Sequence, residues 1–401
     1  MNPLKESPLT FILSIQSISG QATQNILESL ACGSITLLAY AFLRLSVAPS
    51  NNLVALIMKS ENEGSPETAS RHSTILPWLR LLRISALPTA ISNILMAFLL
   101  VHQTWTPTLE LWLLILASSL LYLSGMVLND VFDIEVDRVQ RPNRPLPSGK
   151  ISLQTANTAG YMLLLLGVVV ASLAGWVGSG SDPFLPTSPF ARASIIAVLL
   201  AACILLYNGL LKRTLLAPFL MGSCRGLNVL LGTSTLIPLA TGMTTSEAAP
   251  TFLSIPLVAW WISISIGTLI CGVTLLGRNE AVESQKRLPL FIACGFIIAG
   301  ITGIGSVVYC PMDLELSPLV KSIYPLIVAV ISLTIIRRVI GAAIIATPLA
   351  IQSGVISVLR SLIILDAVVC FLAAPQPEYY ALIVLSLLIP NILLSRFIST
   401  T

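Results

Sequence analysis

The chain has 401 residues, of which 55% are apolar and 10% charged, and its mean hydropathy is +0.90. A soluble domain carries roughly 25% charged residues, so water would not solvate this surface; an ordinary cytosolic enzyme, a disordered chain, a coiled coil and a nucleic-acid binder are excluded. The net charge of +4 is small, and the placement of the charges carries more information than their sum.

Met1–Gly20 lacks the basic start and compact apolar run of a secretory leader, so no cleaved peptide is expected. Residues 26–48 are apolar but interrupted by Glu28 and Arg44, which suits either an extra span or an interfacial helix. Residues 50–73 are rich in Ser, Glu, Asn and Thr and read as a polar linker. An N-terminal extension over 1–76 and a membrane domain over 77–401 are therefore expected. A bilayer crossing takes about 20 mostly apolar residues. Such stretches recur at 84–101, 109–128, 155–177, 193–211, 215–239, 252–276, 289–309, 321–336, 354–373 and 379–396. The 321–336 stretch is short, and 339–352 either extends it or lies along the interface. The expected fold is an all-α, polytopic bundle of about nine spans, with a tenth candidate.

Lys and Arg concentrate in cytoplasmic loops. Arg71, Arg80 and Arg83 precede the first main span; Arg138, Arg141, Arg144 and Lys150 follow the second; Lys212 and Arg213 the fourth; Arg278, Lys286 and Arg287 the sixth; Arg337 and Arg338 the eighth. The alternate loops hold only Arg192, with Lys321 at a boundary. Even-numbered loops are thus expected on the cytoplasmic side of the inner or plasma membrane. Most tryptophans fall near span ends, as an aromatic belt would. None of the seven cysteines has metal-ligand or redox spacing. His72 and His102 stand far apart and support neither a zinc site nor a proton relay.

Only 18 residues are acidic, and four of them lie between Asp130 and Asp137. On a helix Asn129, Asp133 and Asp137 share one face, Asp130 borders it and Glu135 points elsewhere. Carboxylates crowded at a membrane boundary repel one another, and a hard divalent cation offsets that; Mg²⁺ prefers carboxylate and water oxygens and bridges to phosphates. The chain turns basic at once, through Arg138, Arg141, Arg144 and Lys150. Carboxylates for a metal beside arginines for phosphate oxygens suit a diphosphate. The plain alternative, a charged membrane loop, explains the arginines but not acidic groups at helical spacing with an Asn in register.

Asn129-Asp130-x-x-Asp133-x-x-x-Asp137 followed by Arg144-Pro145-Leu146-Pro147-Ser148-Gly149 resembles the first aspartate-rich motif of the UbiA superfamily of intramembrane prenyltransferases. Tyr207 and Lys212, five residues apart after span four, resemble a second feature of that family. The resemblance implies a helical bundle with a cavity open to the membrane, in which Mg²⁺ and an isoprenoid diphosphate bind and the prenyl group passes to a lipophilic or aromatic acceptor. It assigns catalysis to Asp133, Asp137, Tyr207 and Lys212 and metal binding to Asn129, Asp130, Asp133 and Asp137. The family's second motif is a pair or triplet of Asp after span six. Here Asn279-Glu280-x-x-Glu283 stands in its place, with Glu for Asp. Charge and oxygen ligands are kept on a longer arm, while Mg²⁺ demands near-ideal octahedral geometry; the segment reads either as a metal site of Glu280 and Glu283 or as a charged helix end. Cys224-Arg225-Gly226-Leu227-Asn228 is similar to the divergent EboC-like branch.

A lone Arg within a span costs about 2.5–3.5 kcal/mol on insertion scales. Arg225 and Asn228, three residues apart, are expected to share a face that lines the cavity, Arg225 meeting diphosphate or countering a carboxylate; the alternative is snorkelling. Arg141, Arg144, Arg225, Asn228, Arg278 and Lys286 are the expected diphosphate-binding set. Asp366, Arg360, Asn93 and Ser92 are further polar intrusions, and Asp366 has no partner that the sequence assigns. A different class of function, non-catalytic binding or transport of an isoprenoid lipid, rests on the altered second motif. A secondary transporter fits less well than phosphate chemistry.

Overall fold

The computed structural model describes residues 75–398, apart from 104, 106–107, 180–184, 186, 236–250, 279–286, 310–315, 317 and 374–376. Every described residue falls in the second of the chain's two compact units, Met1–Glu67 and Thr68–Thr401. The expected extension over 1–76, with its candidate helix at 26–48, lies outside the described residues but for its last two positions.

A short helix, α1 (Ile75–Leu81), leads through a 3₁₀ turn at Ile84–Ala86 into α2 (Leu87–His102). Then come α3 (Leu109–Phe132), the short α4 (Ile134–Gln140), α5 (Leu153–Gly178) and α6 (Pro189–Leu206). A π-helical turn, Tyr207–Leu211, continues α6, and α7 (Ala217–Gly232) follows. A two-residue hairpin, β1 (Thr251–Phe252) with β2 (Ile255–Pro256), precedes α8 (Leu257–Gly277). The chain closes with α9 (Leu288–Ser306), α10 (Pro318–Ile345), α11 (Pro348–Val369), α12 (Pro377–Ser386) and α13 (Leu388–Phe397). Local signals set these starts: Ser152, Ser188 and Thr347 cap α5, α6 and α11, and proline sits in the first turn of α2, α6, α7, α9 and α11.

Among the described residues, nine helical runs are long and apolar enough to cross a membrane. The chain is a multi-pass integral membrane protein. Three stretches differ from expectation. The short stretch 321–336 belongs to the 28-residue α10, and the next helix starts at Pro348 rather than 354. The left-handed Ala346 (φ 57°) and the Thr347 cap divide the two, so 339–352 splits between them, and Arg337 and Arg338 lie within α10 rather than in a loop. The stretch 215–239 yields only the 16-residue α7, about 24 Å at 1.5 Å per residue and short of the ~30 Å hydrocarbon core.

α7 tolerates that length because protein surrounds it. A Cβ on Gly222 would collide with the Gly267 carbonyl oxygen of α8, and one on Gly232 would lie 2.8 Å from the Ile94 carbonyl oxygen of α2. Small residues let backbones close in where lipid offers no hydrophobic drive between helices. Burial ranks the helices by depth: 78% of the α2 window is buried but only 33% of the α5 window. α2 therefore runs through the middle of the bundle, and α5 turns Leu165, Val169 and Leu173 outward to lipid. At one end of the bundle the buried Arg192 of α6 donates to the carbonyls of Thr187, Ser234 and Ser254. The acidic segment lies at the other.

Candidate functional site

α3 carries the acidic segment out of the bundle. Its regular turns end at Phe132, and Asp133 (φ −89°, ψ 1°) joins it to α4. The backbone N–H bonds from Asp133 to Asn129 and from Asp137 to Asp133 persist across this kink, and Asp130 and Asp137, seven residues apart, also face one side. Asn129 and Asp133 stay together: the Lys212 ammonium donates to Asn129 Oδ1 at 2.7 Å and to Asp133 Oδ2. Asp137 joins Asp130 instead. Arg144 Nη1 lies 2.7 Å from Asp137 Oδ2 and 3.5 Å from Asp130 Oδ1, and both carboxylates are about 95% buried. Asn129 Nδ2 also donates to Asp130 Oδ1 (3.2 Å), which links the two halves. Glu135 points away, as expected, and pairs with Arg138 in the open.

The sequence spacing of Tyr207 and Lys212 makes sense only with the π turn. Five residues in an α-helix would leave them about 140° apart. The wider π turn, Tyr207–Leu211, brings them back to one side, and such turns favour functional sites. Lys212 Nζ lies 5.9 Å from the Tyr207 ring centroid. Burial pushes the Lys212 pKa down, and its bond to Asp133 opposes that shift.

The basic loop after α4 is anchored by its apolar residues. Leu146 and Ile151 are buried with Leu81, Val127, Ile134 and Ala156, which turns Arg144 inward, and Gly149 takes the left-handed conformation (φ 72°). In the sequence Arg83 marks only topology. It too is left-handed (φ 45°), which costs a side-chain-bearing residue about 1–3 kcal/mol, and its Nη2 meets Asp130 Oδ1 at 2.9 Å. No sequence pattern distinguishes it from Arg80.

Of these groups Arg83, Asp130 and Arg144 line a cavity of about 1160 Å³, whose wall also includes Arg141, Lys150, Tyr207, Arg225 and Arg278. A smaller recess of about 110 Å³ adjoins it behind Tyr122, Met126, Tyr207 and Met221. Arg225 and Asn228 both line that recess, as expected. Arg225 does not snorkel: it donates to the Thr89 carbonyl (3.0 Å), the Thr89 hydroxyl (2.8 Å) and Asn93 Oδ1 (3.2 Å). Asn228 bonds Ser118 and the Ala90 carbonyl. Asp366, partnerless in sequence, accepts from Ser92, and both its carboxylate oxygens accept from Asn93 Nδ2, so Asn93 stands between it and Arg225. Arg278 donates to the Thr214 carbonyl at 2.8 Å. Glu280, Glu283 and Lys286 lie outside the described residues.

The donor set fits a hard cation shared with phosphate. Asp130, Asp133 and Asp137 offer carboxylate oxygens and Asn129 an amide oxygen, Asp130 and Asn129 at cavity walls, and among the described residues no group of three or more His, Cys, Asp or Glu is gathered closely enough to hold a metal by itself. An incomplete protein shell is what Mg²⁺ uses when substrate phosphates and water complete it. Without that charge, Arg83, Arg144 and Lys212 neutralise the carboxylates.

Residues 90–274 match the UbiA prenyltransferase family, a segment that contains the acidic motif, Tyr207, Lys212, Arg225 and Asn228. Over that segment the chain resembles the UbiA prenyltransferase family. Among curated relatives it is 34% identical over 105 residues to the digeranylgeranylglyceryl phosphate synthase of Metallosphaera sedula, covering 26% of this chain and 32% of that protein. It is 28% identical over 158 residues to the synthase of the same name from Sulfolobus acidocaldarius, covering 37% of this chain and 57% of that one. The chain thus spans about a third to just over half of these relatives. A solved UbiA homologue from Archaeoglobus fulgidus, bound to DMAPP and Mg²⁺, is similar in fold: TM-score 0.51 at 16% identity, over 77% of this chain and 99% of the homologue. The UbiA match and the fold agree with the all-α bundle. Arg83, Arg360, Asp366 and Asn391 lie outside the matched segment.

Proposed function

We propose that this protein is an intramembrane, Mg²⁺-dependent prenyltransferase that moves an isoprenyl group from a prenyl diphosphate to a lipophilic or aromatic acceptor. One observation carries the reading. Four oxygen-bearing side chains, Asn129, Asp130, Asp133 and Asp137, gather with Arg83, Arg144 and Lys212, and Arg83, Asp130 and Arg144 of this cluster line a cavity large enough for an isoprenoid. The relatives' name, with its glyceryl phosphate lipid, supports a lipid acceptor. The basic loops favour the cytoplasmic face for the cavity mouth.

Asn129, Asp130, Asp133 and Asp137 would hold Mg²⁺, with Glu280 and Glu283 as a second set; the ion would neutralise charge on the leaving diphosphate. Arg144 and Lys212 then exchange carboxylate for phosphate oxygens, Arg141 and Arg278 add charge-assisted hydrogen bonds from the cavity wall, and Lys286 would supply a further cation. The C1–O bond of the donor breaks with its electron pair on the diphosphate. Tyr207 places an electron-rich ring at the junction of cavity and recess, beside the allylic cation, and the apolar recess keeps water from capturing it. The acceptor supplies the electron pair for the new bond, and its displaced proton passes to the diphosphate.

The test is Asp133→Asn in purified protein reconstituted in lipid, given labelled prenyl diphosphates with and without Mg²⁺. Transfer should vanish with the fold intact by circular dichroism; undiminished turnover would refute the metal assignment. Wild-type protein that binds the donor but releases no diphosphate with Mg²⁺ would instead be a non-catalytic isoprenoid-binding protein.

A further inference from the structure

We propose that Cys203 and Cys224 are a redox modification site, a thiol pair that hydroperoxides dissolved in the membrane convert to a reversible disulfide closing the small recess. The loss of transfer that follows rests on the prenyl-transfer reading; the bridge itself does not.

Five cysteines lie among the described residues, and all are free. Cys271, Cys294 and Cys370 are buried, which keeps them from a dissolved oxidant. Cys203 of α6 and Cys224 of α7 are only half-buried. These two accessible thiols are also the pair that meets: α6 packs against α7, and the two side chains hydrogen-bond to each other. Thiols already in that contact reach a bridge by side-chain rotation and a small approach of their helices, whereas more distant pairs need the backbone to move.

The chemistry balances with a hydroperoxide. One sulfur attacks a peroxide oxygen as its thiol gives up a proton; the O–O bond breaks, the alcohol leaves with that proton, and a sulfenic acid remains. The second sulfur attacks the sulfenic sulfur, the S–O bond breaks, and water leaves with the second thiol's proton. The two sulfurs are oxidised together by two electrons, which the peroxide accepts. Whichever thiol reacts first, the other is in place to trap its sulfenic acid.

The bridge acts on the site through α6. α7 is fixed on another side, where the Gly222 backbone lies against that of Gly267 in α8 and Ser263 donates to the Gly226 carbonyl at 2.8 Å. A covalent bond is shorter than a hydrogen bond, so α6 yields. It walls the recess with Leu200 and Ile204, opposite Cys224, Arg225 and Asn228 of α7, and the space holds only about 110 Å³. Cys203 also lies about one helical turn before Tyr207. Bridging therefore narrows the recess and displaces Tyr207 from its junction with the cavity.

The test is treatment of the full chain in nanodiscs with tert-butyl hydroperoxide, read by non-reducing peptide mapping in a mass spectrometer and by transfer of labelled prenyl diphosphate. Wild type should yield a linked peptide joining Cys203 to Cys224, cleaved by a phosphine reductant. Transfer should fall about tenfold on oxidation, as small misplacements at a reacting centre cause, and return on reduction. Cys203→Ser should keep its transfer rate through the same treatment. Absence of the linked peptide, with the thiols left reduced or taken to sulfinic acid, would overturn the proposal. So would linkage of either residue to another cysteine, a bridged protein that transfers at full rate, or a Cys203→Ser variant inactivated as wild type is. The wild-type peptide map needs no variant and decides the bridge even if Cys203→Ser fails to fold. Reduced wild type that transfers nothing would sink the enzyme reading alone.

Discussion

Arg144 Nη1 contacts Asp137 Oδ2 at 2.7 Å and lies 3.5 Å from Asp130, so one nitrogen holds two buried carboxylates seven residues apart. Removing one partner of such a group leaves uncompensated charge, at about 3–5 kcal/mol. Arg144→Ala should lower the unfolding temperature, and added Mg²⁺ should raise it more in the variant than in wild type, because the freed carboxylates bind the cation. Thermal melts with and without Mg²⁺ check this; identical shifts would separate Asp130 and Asp137 from metal binding.

Lys212 reaches Asn129 and Asp133 because the π turn aims it there. Lys212→Ala should raise the donor KM at least tenfold and lower kcat. Lys212→Arg, which keeps charge on a planar head that cannot repeat the two contacts of a compact ammonium, should recover part of the KM only. Steady-state kinetics against labelled prenyl diphosphate decide it.

Glu280 and Glu283 are the proposed second set of metal ligands. A Glu280→Gln, Glu283→Gln double variant should raise the Mg²⁺ concentration for half-maximal transfer about tenfold. An unchanged Mg²⁺ curve would return the segment to a charged helix end.

The contact of Gly222 with Gly267 lets the short α7 sit against α8. Gly222→Ala puts a methyl group into a backbone oxygen, and overpacking of that kind costs about 1–3 kcal/mol. The variant should melt earlier with Asp130, Asp133 and Asp137 unaltered; an unchanged melting curve would mean that the helices part freely.

Asp366 meets Ser92 and Asn93, and Asn93 meets Arg225. Because a carboxylate only accepts, it forces the Asn93 amide nitrogen toward itself and the oxygen toward Arg225. Asp366→Ala should destabilise by several kcal/mol. Asp366→Asn should fold better yet still impair transfer, with the Asn93→Asp, Asp366→Asn exchange restoring part of it.

Sequence alone determined the membrane class, most of the spans and the acidic-basic motif, because hydropathy and i, i+4 spacing are local properties that bilayer thickness and helix geometry translate directly into structure. It also named Tyr207 and Lys212, though an α-helical reading would have kept them apart. Only the tertiary structure decided which charges meet. Arg144 joined Asp137 to Asp130, the left-handed Arg83 supplied a cation that composition could not distinguish from its neighbours, and Asp366 and Asn391 gained partners on α2 and the turn before it, roughly 270 to 310 residues away. Those relations depend on how distant helices pack, and a hydropathy pattern records which face of a helix is apolar but not which helix it will meet.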